Sequence, residues 1–473
     1  MTNNKKTFSC NRRTWLGVMT AAFAGHSLSV QGQAESTGKE LKASSAGRFF
    51  ETDVLVCGGG PAGFAAATMS ARQGAKTILA ERYGRLGGMA VHARVIPLMG
   101  RVHSPFVTEV IKKVAGVRFD PNRPDLDFID PEKLDLQYAD FIYEAGGTIL
   151  LHAWALDAEV SDNQIRAVKF LTKEGIVTIF AKQVIDATGD GDVAAQAGAA
   201  FEIGRKKDAL VQPMSIMFSI GGLSRQAQFG GGEEDARRRM IGNETWETVV
   251  MRGQKQGELP PNVGVVRTYR MKRDGEASVN ATQINYVSGL NVEDLTRAEI
   301  EGRKQAYQIV EFMRKNFPGY ENAYISNMPA VVGVRESRRV LGKQFLVRKD
   351  LETGRCWENS VVRGATFLID IHNPAGSGQA EGHAGKFVNQ GAPARDKPYD
   401  IPVGCLIARD IDGLLMAGRC ISGSHEASSS YRVHNICMAI GAAAGTLAGL
   451  AVTQRKKVVD VDIRQVQKVL FES

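Results

Sequence analysis

No C-x-x-C pair occurs anywhere in the 473 residues. The six cysteines, Cys10, Cys57, Cys356, Cys405, Cys420 and Cys437, are scattered. That spacing excludes a disulfide scaffold and a zinc or iron–sulfur site of standard pattern, so no metal site is expected. The formal charge is +8, and half of that excess (Lys5, Lys6, Arg12, Arg13) lies in the first 34 residues, where there are no acids. What is left is too diffuse for a nucleic-acid footprint. The 51 glycines follow no triplet period, so collagen is excluded, and they are expected in tight turns and close backbone approaches. The apolar run Leu16–Val30 is short and broken by polar residues, and no transmembrane segment is expected.

The first 34 residues have the order of an export signal: a basic stretch ending in Arg12-Arg13, the mildly apolar run, then the small-residue site Gly32-Gln33-Ala34. This predicts a twin-arginine-type signal peptide over 1–34 and a periplasmic destination. Residues 35–48, rich in Ser, Gly, Ala and Lys, read as a linker.

The body opens with a strand, Asp53–Cys57, that runs into Gly58-Gly59-Gly60-Pro61-Ala62-Gly63. An Ala-rich helix to about Gln73 follows, then the strand Thr77–Ala80 and Glu81. Strand, G-x-G-x-x-G, helix, strand and acid in this order is a dinucleotide fingerprint. Gly58 permits the turn, Gly60 lets backbone amides approach a pyrophosphate, and Gly63 lets the helix pack on the strand. The helix N-terminus faces the phosphates, and Glu81 suits a ribose hydroxyl. Gly87-Gly88, just after Glu81-Arg82, resembles the loop that crosses the cofactor in FAD-binding families.

A β-meander is expected from Thr148–Leu151, Leu156–Val160, Ile165–Leu171 and Ile176–Phe180. It closes on Val184–Asp190, whose Ala-Thr-Gly-Asp end resembles a second flavin contact at Gly189 and Asp190. Near the C-terminus, Gly413–Cys420 reads as a strand into a Gly turn, followed by a Ser-rich loop, Ser422–Ser430. A helix from about Ile436 to Ala451 comes next. Gly441, Gly445 and Gly449 in that helix cost ~1 kcal/mol each against Ala, which predicts close packing on a neighbour. Its N-terminus, near His434 and Asn435, supplies positive potential for a reduced flavin. Between these parts, Val211–Gly221 and Ser278–Ile284 read as strands, and a helix capped by Asp294 runs to Phe317-Pro318-Gly319. No second strand–G-x-G-x-x-G–helix unit occurs, so no built-in nicotinamide site is expected.

Five motifs in order resemble those of the FAD-dependent oxidoreductase family that includes the flavin subunit of heterodisulfide reductase. They are Gly58–Gly63 with Glu81; Ile185–Asp192; Gly333–Arg339; Ile369–Pro374; and Ala417–Ser422 with His425–Ala427. The resemblance covers most of residues 52–455 and implies bound FAD and redox chemistry. The fold class expected is α/β: a Rossmann-type FAD-binding domain (parallel sheet plus β-meander) with an inserted α+β substrate or cap domain. The boundaries expected are 49–205 and 401–455 for the FAD-binding domain, 206–400 for the cap, and 456–473 for a tail. Cofactor contacts are expected at Gly58, Gly60, Pro61, Ala62, Gly63, Glu81, Arg82, Gly87, Gly88, Gly189, Asp190, Gly418, Arg419, His434 and Asn435.

Oxidising an alcohol at a flavin moves a hydride to N5 while a base takes the heteroatom proton, and His is the natural base near neutral pH. Among His92, His103, His152, His372, His383, His425 and His434, the candidates are His372, which follows the apolar stretch Phe367–Ile371, and His425 and His434, which bracket the C-terminal helix. Arg335 and Arg338 can orient an anionic or polyhydroxylated substrate. The function expected is dehydrogenation of a sugar, polyol or hydroxy acid, with electrons leaving to a quinone, a small carrier or oxygen. Two alternatives stay open: a non-catalytic binding protein on a flavoprotein scaffold, and a flavin reductase of an isoprenoid or other lipid.

Overall fold

The structure, a computed structural model, describes residues 47–114, 127–230, 238–378 and 397–472. The signal peptide, nearly all of the proposed linker, and His383 lie outside the described residues.

In chain order the nucleotide half begins with β1 (Arg48–Cys57), α1 (Pro61–Arg72) and β2 (Thr77–Ala80). It continues with β3 (Thr148–Leu150), β4 (Trp154–Ser161), β5 (Gln164–Thr172) and β6 (Gly175–Asp186). The strand order is β3-β2-β1-β6-β5-β4. β1 pairs in parallel with β2 (Val56↔Leu79) and with β6 (Val56↔Ile185), and β2 pairs in parallel with β3. Val54, Leu55, Val56, Ile179, Val184 and Ile185 are buried, as expected of parallel strands covered on both faces.

The sheet differs from the sequence reading in two ways. Thr148–Leu150 is a parallel strand of the main sheet, not the first strand of a meander. Its short apolar run fits either role, and only the pairing partner decides. The last two expected strands, Ile176–Phe180 and Val184 onward, are a single strand, β6. Its first half pairs antiparallel with β5, and it runs parallel to β1 from Val177 to Asp186. Arg48, placed in the linker by composition, already pairs with Val177.

A second core gathers Met214 to Val334. Its elements are β7 (Met217–Gly221), α2 (Trp246–Lys255), β8 (Arg267–Arg270), β9 (Ala277–Asn280), α3 (Val292–Asn316) and β10 (Tyr324–Asn327). The sheet is antiparallel, order β8-β9-β7-β10. Trp246 anchors this core, stacked on Phe317 at 3.9 Å between centroids. The α3 cap is Asn291, whose side chain accepts from the amides of Glu293 and Asp294; Asp294 instead accepts from Ser288 N. The cap core is narrower than residues 206–400. Val340, Leu346, Leu351, Val361 and Tyr399 belong to the first core, because the strand Ser360–Thr366 pairs with Arg101–His103 and Tyr399–Pro402.

The chain returns through β11 (Leu414–Met416), parallel to β6 beside Val184–Asp186. The Ser-rich stretch is not a loop but α4 (His425–Tyr431), capped by Ser424 Oγ accepting from Ala427 N. The hydroxyls of Ser428 and Ser429 donate to His425 O and Glu426 O, so these short polar side chains are satisfied within the helix. The last long helix is α5 (His434–Thr453), which starts two residues before the expected Ile436. It is long and apolar enough to cross a membrane, but 83% of that window is buried in the protein. It lies on α1. An added Cβ at Gly441 would sit 1.9 Å from Ala62 O, one at Gly445 2.1 Å from Ala66 O, and one at Gly449 2.7 Å from Gln73 Cβ.

Gly445→Ala places a methyl against backbone that has no room to yield. It is expected to destabilise by about 1–3 kcal/mol despite the better helix propensity of Ala. A urea midpoint that rises instead would show the two helices to be loosely apposed.

Candidate functional site

The turn after β1 is built on two glycines that no other residue can replace. Gly58 has φ +103, and a Cβ on it would lie 2.4 Å from Ala187 O. A Cβ on Gly63 would lie 1.8 Å from Gly58 O, so Gly63 is what lets α1 rise straight off the strand. No side chain caps α1, and Pro61 opens it. The amides of its first turn and its positive end are therefore left for an anion. Glu81, buried at the end of β2, accepts from Gly59 N (2.5 Å) and Tyr83 N (2.9 Å). Gly87 N donates to Gly59 O (2.7 Å), and a Cβ on Gly88 would lie 2.8 Å from Gly60 Cα, so the second Gly loop folds directly onto the first.

These elements open on a cleft that is partly open to solvent. Gly58, Gly60, Pro61, Ala62, Glu81, Arg82 and Gly88 line one side. Gly189, Gly418, Arg419 and His434 line the other. The remaining expected contacts lie one layer back. Gly63 sets the helix approach and Gly87 ties the loops. Asp190 accepts from Arg419 Nη2 (3.1 Å) and Ser337 Oγ (2.7 Å), and Asn435 donates to Gly100 O (2.8 Å).

Sequence reasoning missed Tyr83, Trp154, Phe170, Thr188, Asp192 and Arg432, all of which line the cleft. Arg82 lies over both Tyr83 (4.8 Å) and Trp154 (5.1 Å). An exposed Trp at the start of a strand was the available signal, since exposed aromatics beside a cation mark contact surfaces.

Of the residues expected to do chemistry, His372, His425, Arg335 and Arg338 do not line the cleft. His425 is buried, its Nδ1 2.8 Å from Glu336 Oε1, and Glu336 also accepts from Arg339. It is part of a buried ion-pair network that joins α4 to the segment 336–339. His372 sits beyond the end of the strand, which stops at Thr366. Its ring is 3.6 Å from Asp370, and burial, with Arg335 nearby, pulls it down to about 3. Arg335 donates from Nη1 to Pro213 O (2.8 Å). Arg338 is paired with Asp192 at 2.8 Å. The imidazole on the cleft is His434, the first residue of α5. Its Nδ1 lies 3.1 Å from Pro97 O, so the ring proton belongs on Nδ1 and Nε2 carries the lone pair. Burial pulls His434 down to about 4, so it is neutral at pH 7.

Two thiols reach the cleft, Cys57 and Cys437. Burial pushes Cys57 well above the ordinary thiol value and Cys437 up to about 12. Both are protonated and inert near neutrality.

The residues fit a flavin dinucleotide. The glycine cradle leaves backbone exposed where phosphates need it. The acid stands at the end of β2, and Arg419 Nη1 is a buried donor on the cleft with no protein partner. Comparison with known proteins agrees. A family model described as FAD dependent oxidoreductase matches residues 53–470. Dihydrolipoyl dehydrogenase of Buchnera aphidicola is 41% identical over 78 residues, 16% of this chain and 16% of that protein. Thiamine thiazole synthase of Sulfolobus acidocaldarius is 32% identical over 166 residues, 32% of this chain and 60% of that protein. The chain thus spans about a sixth of the length of the dihydrolipoyl dehydrogenases it matches. Among solved structures, a geranylgeranyl bacteriochlorophyll reductase-like protein from Thermoplasma acidophilum has a TM-score of 0.47 at 14% identity, covering 89% of this chain and 83% of that one.

Gly58→Ala is expected to abolish flavin retention, read as the flavin-to-protein absorbance ratio after gel filtration. The added methyl needs space held by Ala187 O and a backbone region that disfavours side chains. Retention equal to wild type would remove the phosphate turn from the site.

Stability is expected to fall on acidification from pH 6.5. His372 and His434 take up protons only on unfolding. Each removes about 1.4 kcal/mol per pH unit between ~6.5 and its native value. Asp186, which burial pushes up to about 6, takes up its proton in the native state and offsets one of them from pH 6 down to ~4. Urea midpoints between pH 7 and 5 should therefore slope downward in wild type and flatten in His372→Asn. An unchanged slope in that variant would mean that His372 is protonated in the native protein.

Proposed function

The chain belongs to the FAD-dependent oxidoreductase family, and from that premise we propose that it dehydrogenates a small polar organic substrate (a sugar, polyol or hydroxy acid) and passes the electrons to an external acceptor. The observation that carries this reading is that one cleft is lined both by the phosphate turn and by His434, with cationic side chains (Arg82, Arg419, Arg432) around it. The exported destination, read from Arg12-Arg13 and the apolar run, is part of the same proposal. A periplasmic enzyme of this kind passes electrons to a quinone, a small carrier or oxygen.

FAD, when bound, supplies a two-electron acceptor. The amides of Gly60, Ala62 and Gly63 at the start of α1 would hold its phosphates, and Glu81 would accept from ribose hydroxyls. Gly189, Gly418 and Arg419 would border its far portion, and the N-terminus of α5 favours negative charge there. The protein's own part in the chemistry is proton handling and positioning. His434 is neutral and its Nδ1 proton is committed to Pro97 O, so Nε2 is the atom that accepts a substrate hydroxyl proton. His372 and His425 act from behind the cleft, keeping the cap seam in register. Arg432 stands at the cleft wall, where it faces both the cofactor space and the seam.

Purified protein is expected to be yellow and to bleach anaerobically with a member of a sugar, polyol and hydroxy-acid panel. His434→Asn should keep the flavin and lose about 10²-fold or more in the bleaching rate. Flavin that is present but is never reduced by any panel member favours the scaffold reading. Reduction only by a lipid-soluble donor favours the isoprenoid reductase reading.

A further inference from the structure

Behind Arg432 the cap meets the nucleotide half at a seam where donors converge with few acceptors. The Arg335 guanidinium forms no ion pair among the described residues, and its one hydrogen bond there goes from Nη1 to a backbone carbonyl, Pro213 O, at 2.8 Å. A mostly enclosed guanidinium without a carboxylate is uncommon, because desolvating an unpaired charge costs several kcal/mol. Next to it is Arg432, which donates to Arg335 O (3.4 Å) and to Asp370 O (2.7 Å), and lies 3.4 Å from Asp370 Oδ2.

A second, independent observation concerns Gln212, which is 1% exposed. Its backbone amide donates to Glu336 Oε2 (3.1 Å) and its Oε1 accepts from His372 N (3.0 Å). Its Nε2 is buried with no partner. The two ends of a carboxamide share one carbon, so this orphan donor stands beside His372 and one residue from Pro213, where Arg335 is anchored. Buried donors are nearly always satisfied, and one that is not implies a group still to come. Like charge adds to the demand: Arg432 and Arg267 both disfavour the charge on Arg335, and Asp370 relieves it only in part.

We propose that this seam holds a carboxylate of the substrate, with Arg335 as its bidentate partner, Gln212 Nε2 as a second donor, and Arg432 linking the bound group to the flavin cleft. The inference rests on the oxidoreductase reading above and narrows its substrate class to a hydroxy acid, in preference to a neutral sugar or polyol. A planar guanidinium fork matches a carboxylate in a way that a hydroxyl pair does not.

The test uses flavin-loaded enzyme in calorimetric titrations with acetate, benzoate, malonate and succinate. The matching neutral amides and inorganic phosphate are run alongside, at an ionic strength fixed with chloride. At least one carboxylate is expected to bind, its amide not to bind, and phosphate to bind more weakly. Arg335→Gln should weaken carboxylate binding by about 30-fold or more, with Arg335→Lys in between and Gln212→Leu also weakened. Without ligand, Arg335→Gln should melt at the wild-type temperature or above it, because it removes an uncompensated charge; a purely structural arginine would melt lower. Four results would overturn the assignment: no carboxylate bound, equal binding by Arg335→Gln, phosphate bound more tightly than every carboxylate, or a ligand-free melting temperature several degrees lower in Arg335→Gln. Flavin content read on the same samples separates the two levels. Protein without flavin defeats the oxidoreductase reading, whereas flavin-loaded protein that ignores carboxylates defeats only this one.

Discussion

The contact between α1 and α5 is the constraint on which the rest of the molecule depends. These helices come from residues 61–72 and 434–453, near opposite ends of the described chain, yet their backbones touch along a row of glycines. That approach fixes where the N-terminus of α5 falls relative to the phosphate turn. With Ala at those positions the helices would stand farther apart, and His434 would lose its place on the cleft. The sheet supports the same geometry. β1, β6 and β11 run parallel side by side, so Gly58, Gly189 and Gly418 emerge at one edge. Ligands of parallel α/β sheets bind at that carboxyl edge.

A layer of paired, largely buried charge forms part of the cleft wall and continues behind it. Arg419 pairs with Asp190, Arg338 with Asp192, and Arg339 with Glu336, which also bonds His425. Such pairs add little net stability over apolar packing, but losing one partner is costly. Their use here is register: they join the strand ends at 186–192, the segment 336–339 and α4 into one floor. The seam around Arg335 departs from that rule, because its cation has no matched acid.

Local chemistry made much of this visible in the sequence. The phosphate turn, β2 with Glu81, and the Gly row of α5 were legible because each demands a residue type at a fixed spacing. Most of the expected cofactor residues line the cleft for that reason. Pairing partners were not legible. Thr148–Leu150 has the same pattern in a parallel sheet as in a meander, and α4 hides in a run of serines whose hydroxyls satisfy their own turn. The cap's extent is not legible because the stretch from Val340 to Ile371 returns to the first core, held there by strand pairs that are distant in sequence. The histidine candidates rest on position alone, His372 after an apolar stretch and His425 and His434 beside the C-terminal helix. That criterion cannot distinguish a ring that faces a ligand from one bonded to Glu336, and Arg432 carried no local signal at all.

The cleft also places two sulfur atoms beside a site of electron transfer. Burial keeps Cys57 and Cys437 as thiols rather than thiolates, and peroxide attacks the thiolate. If the terminal oxidant is oxygen, the peroxide released next to these side chains meets poor nucleophiles. Under that condition burial protects both cleft thiols, while Cys356, the one exposed thiol among the described residues, is the thiol open to solvent.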